Sequence, residues 1–371
     1  MKTIPQEILT NILARLPAKS IGRCRCVSKP WCHLLSEPHF IKAHLDLTKE
    51  FMDNERITLI SSVSNTLFST SITHHSSAEI TSLATELSFV VAPDFWTEGM
   101  PSCDGLILIG NDANKRLLVN STTNKTRELT VSPYALDPHG SFTMYGLGYD
   151  HVSDDYKVVT LSYYDTDNEY EPDCTEMFVN VYSVRNGTWK QAESSPYDHA
   201  VGHLVSGVFV GGFIHWLASR TSDYSSAIVR FDLTEEKFSE LPAPSSVDGE
   251  NFVLNRLAVL GGCLCMSPSN SQKETEIWVM KEYGVEQSWS KLLVVDQKAS
   301  EFRPLMLISD QREVVMVKDE ETVVEKLVVY NLDSATFKDI TIQGAGDEFQ
   351  VGGSFIETLV SPYYNDESRR V

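Results

Sequence analysis

Four aromatic residues, Trp189, Phe238, Trp289 and Phe337, stand 49, 51 and 48 residues apart. Each sits in a similar string: an apolar pair, a polar turn, the aromatic, then an apolar residue three positions on. The string reads VYSVRNGTWKQA from Val181, VRFDLTEEKFSEL from Val229, IWVMKEYGVEQSWSKL from Ile277 and VYNLDSATFKDI from Val329. A weaker copy, LVNSTTNKTREL, starts at Leu118. A repeat of this length constrains the fold more than any single motif does. One unit of about four short strands cannot bury both of its faces alone, so such units stack on neighbours. Gly211-Gly212 and Gly261-Gly262, 50 residues apart, permit tight turns or close strand approach before Phe213-Ile-His-Trp216 and Cys263-Leu-Cys-Met266. A third pair, Gly352-Gly353, precedes Phe355-Ile356 and predicts a closing strand. Ile57–Ile60 with Leu67-Phe68 predicts one hairpin; Leu106–Ile109 with Leu117–Val119 predicts another, turning over Asn111–Asn114. Five clear units and a sixth near residues 57–70 follow.

The first 45 residues follow a different period. Ile4, Ile8 and Ile12 recur at four-residue spacing, with Leu9, Leu13 and Leu16 filling in beside them. That is a helical stripe. Pro5 suits a first helical turn, and Pro17 ends the pattern. Ser20 is read as a cap for a second helix, Pro30 as an interruption near Ser28–Trp31, and Pro38 as the start of another helical piece. Three or four short helices bury little surface alone, so this module needs something to pack on. The expected class is α+β: a small helical module over 1–46, an all-β propeller-like domain of repeated four-stranded units over 50–362, and a tail over 363–371.

Charge divides the same way. The first 50 residues carry +4 and the remainder −24, giving −20 for the chain of 371 residues. An acidic body argues against nucleic acid or an anionic membrane as the partner, and a basic docking module favours an acidic protein. No apolar run approaches the length of a membrane span. Gln6 and Glu7 interrupt any secretory core, so the protein is expected inside the cell, in cytoplasm and nucleus. Seven cysteines occur; the pairs Cys24-Cys26 and Cys263-Cys265 are C-x-C and lack zinc-knuckle spacing, so they read as reduced thiols.

These strings resemble a known family. Ile4-Pro5-x-Glu7-Ile8, Ile12-Leu13-x-x-Leu16-Pro17-Ala18-Lys19-Ser20-Ile21, Arg23-Cys24-Arg25-x-Val27-Ser28-Lys29-x-Trp31, Leu34-Leu35 and Pro38-x-Phe40 resemble an F-box. Tyr145–Val159, Ile214-His-Trp-Leu217, Phe231-Asp-Leu233, Leu260–Cys265, Ile277–Val285 and Ser288-Trp-Ser290 are similar to the F-box-associated, kelch-like β domain of plant F-box proteins. The nearest groups restrain immunity (the constitutive-expresser-of-pathogenesis-genes type) or act at the S-locus. The resemblance implies a substrate receptor of an SCF ubiquitin ligase. It would bind the Skp adaptor, and through it a cullin scaffold, and hold an intracellular client such as an immune receptor. Carried over by motif, the adaptor contacts are Ile4, Pro5, Ile8, Leu16, Pro17, Ile21, Val27 and Trp31. The alternatives are pollen recognition of a ribonuclease and, from another class, a kelch-type enzyme or carbohydrate-binding protein.

A receptor works by position and needs no nucleophile or base of its own. No Walker loop, GxSxG or HExxH occurs, and no catalytic residue, metal or cofactor is expected. Gly146-Leu-Gly148 lacks the third glycine of a dinucleotide loop and reads as a strand turn. His74-His75 would point to opposite faces of a strand, and the glycines around His199 and His203 favour loop or strand over a helical metal pair. Asp154-Asp155 reads as a turn whose carboxylates accept backbone N–H bonds. The acidic run Asp165–Asp173 is a solvated connection or a rim for a basic client surface. Tyr163, Tyr164, Tyr170, His199, Tyr224 and Phe252 are the loop candidates for client contact.

Overall fold

Prolines set the helix starts. In the computed structural model, which describes residues 5–50, 55–72, 80–90, 100–110, 115–164, 177–199, 206–220, 225–244, 252–270, 274–296, 301–308, 312–319, 325–346 and 348–363, four helices come first. They are α1 (Gln6–Leu13), α2 (Ala18–Arg25), α3 (Lys29–Leu34) and α4 (Pro38–Glu50). Pro5 and Pro17 occupy the positions just before α1 and α2, with extended ψ values of 140° and 144°. Ser20 therefore lies inside α2 and caps nothing. Pro30 does not interrupt a helix: it sits in the first turn of α3, where its missing N–H is not needed, and Ser28 Oγ accepts from Trp31 N at 3.4 Å.

Twenty-six strands follow, and among the described residues they form six sheets. The first combines β1 (Glu55–Ser61), β2 (Leu67–Thr70) and β4 (Thr85–Glu86) with β26 (Phe349–Ile356) from the far end of the chain. The second holds β5 (Ser102–Cys103), β6 (Leu106–Gly110), β7 (Arg116–Asn120) and β8 (Lys125–Leu129). The third holds β9 (Ser141–Asp150), β10 (Asp155–Tyr164), β11 (Phe178–Ser183) and β12 (Thr188–Gln191). The fourth holds β13 (Tyr197–Asp198), β14 (Val208–Val210), β15 (Phe213–Arg220), β16 (Ser226–Asp232) and β17 (Phe238–Leu241). The fifth holds β18 (Phe252–Leu260), β19 (Cys263–Asn270), β20 (Glu274–Met280) and β21 (Trp289–Asp296). The sixth holds β22 (Glu301–Ile308), β23 (Glu313–Asp319), β24 (Glu325–Asn331) and β25 (Thr336–Gln343). Inner strands touch in the sequence β5, β9, β14, β18, β22, β26 and back to β5, so the sheets are the blades of a closed ring. Closure is double. β26 pairs antiparallel with β1, and β3 (Ile80–Leu83) leaves blade 1 to pair in parallel with β25 of blade 6.

The repeat has a physical basis. Trp189, Phe238, Trp289 and Phe337 stand at or near the starts of β12, β17, β21 and β25. Trp189 and Trp289 reach into the preceding blade's connection, donating to Thr130 O (2.6 Å) and Pro242 O (2.9 Å). The polar turn before each outer strand recurs too. Asn120, Asp232 and Asn331 accept two backbone N–H bonds each from the residues two and three further on. Four residues on, Asn124, Glu236 and Ala335 take positive φ, as Gly187 does in blade 3. The glycine pairs at 211–212 and 261–262 turn from inner to second strand with positive φ at every position. Gly352-Gly353 is no turn; it lies inside β26 beside a register shift against β1. Gly146 and Gly148 likewise lie inside β9. A Cβ there would come within 2.6 Å of Ile214 and 2.5 Å of Phe209, so these glycines admit blade 4 against blade 3.

Candidate functional site

The helical module has two apolar faces. Leu13, Ala14, Ala18, Ile21, Leu35 and Phe40 form its core, and Leu359 from the segment after β26 completes it. Among the described residues nothing covers the other face. Ile8, Ile12 and Val27 are 51%, 52% and 68% exposed, Leu16 and Trp31 are half-buried, and Pro5 and Pro17 are exposed. Of the eight positions expected to meet an adaptor, Ile4 lies outside the described residues. Ile21 is corrected: it is fully buried and holds α2 to the core, so it offers no surface. Ile12, read only as part of the stripe, joins the exposed set. Periodicity reports apolar positions but not which of two faces turns inward.

The module is fixed to the ring. Lys49 on α4 pairs with Asp104 at 2.7 Å, and Lys19 on α2 pairs with Glu357 at 3.2 Å; Arg56 on β1 also pairs with Glu357. Leu45, packed on by Ile41, joins the core shared by blades 2 and 3. The segment 357–363 is the strap between the two parts. Buried Asn120 donates to Val360 O (2.8 Å) and Thr358 O (3.2 Å), and Thr358 Oγ1 donates to Asp104 O (2.7 Å). Gly105 allows the close approach: its φ is +81°, and a Cβ would come within 2.4 Å of Thr358 Oγ1. In α4, His44 is buried with Nε2 2.9 Å from Leu16 O; burial lowers its pKa.

A central cavity of about 880 Å³ runs between the inner strands. Thr48, Lys49 and Asp104 line its helical end, and Arg256, Glu301, Arg303, Asp319 and Glu325 line it elsewhere. Arg256 pairs with Asp319 (3.4 Å) and Arg303 with Glu325. Glu55 also lines it; its Oε2 is buried with no hydrogen-bond partner among the described residues, and burial pushes the carboxyl up to about 7. Among the described residues no cluster of His, Cys, Asp or Glu is placed to hold a metal, and no helix is long and apolar enough to cross a membrane.

The client candidates scatter. Tyr163 and Tyr164 end β10 as strand residues, at the end of blade 3 away from the helices. Tyr163 lies 5.6 Å from Phe142 and Tyr164 lies 5.7 Å from Phe178, ring to ring, two neighbours sequence reasoning missed. Phe252 begins β18, its backbone paired with Asn270. Tyr170 and Tyr224 lie outside the described residues, as do His74, His75, His203, the run 165–173 and the turn at 111–114. His199 is corrected: it is fully buried, with Nε2 2.8 Å from Ser195 Oγ and its ring against Trp216 and Phe238. Burial lowers its pKa to about 3, so it is a neutral core residue. Asp155 does accept a backbone bond, from Arg185 N at 2.7 Å, while Asp154 pairs with Arg185 at 2.7 Å.

Residues 2–42 match the model of the F-box domain and residues 51–362 match that of the F-box associated beta propeller domain. F-box protein CPR1 of Arabidopsis thaliana is 33% identical over 365 residues, covering 92% of this chain and 85% of its own. An F-box/kelch-repeat protein of the same plant is 30% identical over 372 residues, covering 97% and 96%. Among solved structures, an oligogalacturonate lyase in complex with manganese aligns over 77% of this chain and 84% of its own, with 11% identity and a TM-score of 0.44.

Proposed function

The chain belongs to the F-box proteins that carry an F-box associated β-propeller domain, and from that premise we propose that it is the substrate-recognition subunit of an SCF ubiquitin ligase, acting in cytoplasm and nucleus. It is non-catalytic: the F-box binds a Skp adaptor and through it a cullin, and the propeller holds a client protein. The observation that carries this reading is the outer apolar face of the F-box. A small module that exposes Ile8, Ile12 and Val27 beside half-buried Leu16 and Trp31 has a surface built to be covered.

The propeller's fixed attachment supports the mechanism. Ion pairs, the Asn120 bonds and Leu359 hold the adaptor-binding end rigid against the client-binding end. A rigid receptor keeps client lysines at high effective concentration near the charged conjugating enzyme. The finer reading, that the client is an immune receptor and the protein restrains defence, rests on the likeness to the constitutive-expresser group.

Capture of purified chain on an immobilised plant Skp adaptor tests the reading. Ile8→Asp with Ile12→Asp should abolish capture, at least a hundredfold, because docking would bury two unpaired carboxylates. Both side chains are half exposed, so thermal stability should hold. Failure of the unmutated chain to bind any adaptor would sink the proposal.

A further inference from the structure

The tip of blade 3 is aromatic on both faces. Phe142 on β9 stands opposite Tyr163 on β10, and Phe178 on β11 stands opposite Ser162, on the side of the sheet that Tyr164 shares. Each pair is in ring contact, at 5.6 and 5.7 Å. Phe142 and Tyr164 are both 52% exposed. Val131 and Tyr134, in the connection leading to β9, are exposed as well. Five phenylalanine and tyrosine side chains are exposed among the described residues, and three of them fall between Tyr134 and Tyr164. Large apolar surface gathered at one tip marks an interaction site more than scattered exposure does.

Position and charge narrow the partner. Inner strand β5 runs towards the F-box, ending at the Asp104 that pairs with Lys49. β9 also ends towards the F-box: Leu147 near its end and Tyr156 at the start of β10 share a core with Leu45 of α4. The first residues of β9 therefore face away from the F-box, and the tip stays open when an adaptor is bound. The nine residues after Tyr164 carry five acids and no base, and everything after Glu50 carries −24. Aromatic faces in an acidic setting favour guanidinium groups, which stack on rings and are weakly hydrated. An acidic segment would be repelled, and a purely apolar one would gain nothing from the charge.

We propose that the receptor takes hold of its client at the tip of blade 3, through a basic, arginine-bearing segment of the client laid across Phe142, Tyr163, Tyr164 and Phe178. This rests on the receptor reading above. The purified full chain is titrated against a fluorescein-labelled nonapeptide of alternating glycine and arginine, with lysine, leucine and glutamate counterparts, by anisotropy at 50 and 300 mM salt. The arginine peptide should bind tightest, weaken several-fold at the higher salt, and lose at least tenfold in affinity for Phe142→Ser with Tyr164→Ser. Val63→Ser, an exposed change in blade 1, should leave it unaltered. Unchanged affinity in the double variant, or a leucine peptide that binds as well as arginine, overturns the proposal. Adaptor capture is read on the same preparations and should be native in the double variant. If the unmutated chain captures no adaptor but binds the arginine peptide at the tip, the ligase reading fails and the docking surface stands.

Discussion

The F-box finishes its core with Leu359, a residue that follows the last strand of the propeller, whereas the blades build their cores between neighbours. Met144, Val159 and Leu161 of blade 3 pack on Ile214, Trp216 and Phe231 of blade 4. Leu260 and Ile277 of blade 5 pack on Val314, Met316 and Val328 of blade 6. Ile57 and Leu59 of blade 1 pack on Val315 and Val317 of blade 6. Polar ties cross seams too: His215 of blade 4 joins Tyr283 OH of blade 5, and Lys157 of blade 3 reaches Glu236 and Leu233 O of blade 4. A ring of this kind supports itself, while a helical module of 45 residues has too little interior to do so. The difference teaches that the F-box draws its order from the propeller, not the reverse.

Trp216→Ala should break the ring hardest, by about 3–5 kcal/mol, because the side chain is buried between two blades. Calorimetry should show one β transition moving as a unit; a local loss confined to blade 4 would contradict a cooperative ring. Next, Leu359→Ala should remove about 2–4 kcal/mol from the F-box alone. Hydrogen exchange should quicken in α1–α3 and stay slow in the inner strands. Equal effects in both regions would erase the asymmetry.

A pH series sharpens the comparison further. Burial lowers His199 to about 3 and His215 to about 4, from an ordinary 6.5. Their contribution is fully present above pH 6.5 and is lost as pH falls towards 4 and below, so the ring's melting temperature should fall from pH 7 to pH 4. His44, also lowered by burial, makes the F-box follow the same sign. Glu55 opposes it and should give the smallest change. Its carboxyl is raised to about 7 by burial, so its penalty appears as pH rises from 4.5 through 7. Glu55→Gln should raise the melting temperature by a few degrees at pH 8 and leave it unmoved at pH 4; a fall at pH 8 would mean that the ionised form is stabilised by a partner.

The blades were legible because their chemistry repeats. Trp189 and Trp289 start their strands and bond to the previous blade's connection, and Asn120, Asp232 and Asn331 end a third strand and hold a turn with one left-handed residue. The F-box was legible from its spaced aliphatics and prolines. Non-local pairing was not: nothing in Ile80–Leu83 announces a parallel partner some 260 residues away in β25. Pro30 misled because proline breaks a helix interior but suits a first turn. Ile21 and Ile12 could not be sorted because the helices are apolar on two sides. His199 looked like a loop residue, yet Trp216 and Phe238 enclose it, and enclosure by distant strands leaves no local mark. Phe142 and Phe178 sit at strand ends, where alternation carries no signal.

Ring closure also sets an order of assembly. During synthesis the F-box helices leave the ribosome first, followed by β1, but β1 lacks its neighbour until β26 emerges. The strap that carries Leu359 into the F-box core comes directly after β26. A nascent or truncated chain therefore holds an unfinished F-box above an open ring. The F-box core is finished only once the last blade strand has been made, so completion of the propeller and completion of the F-box are one event.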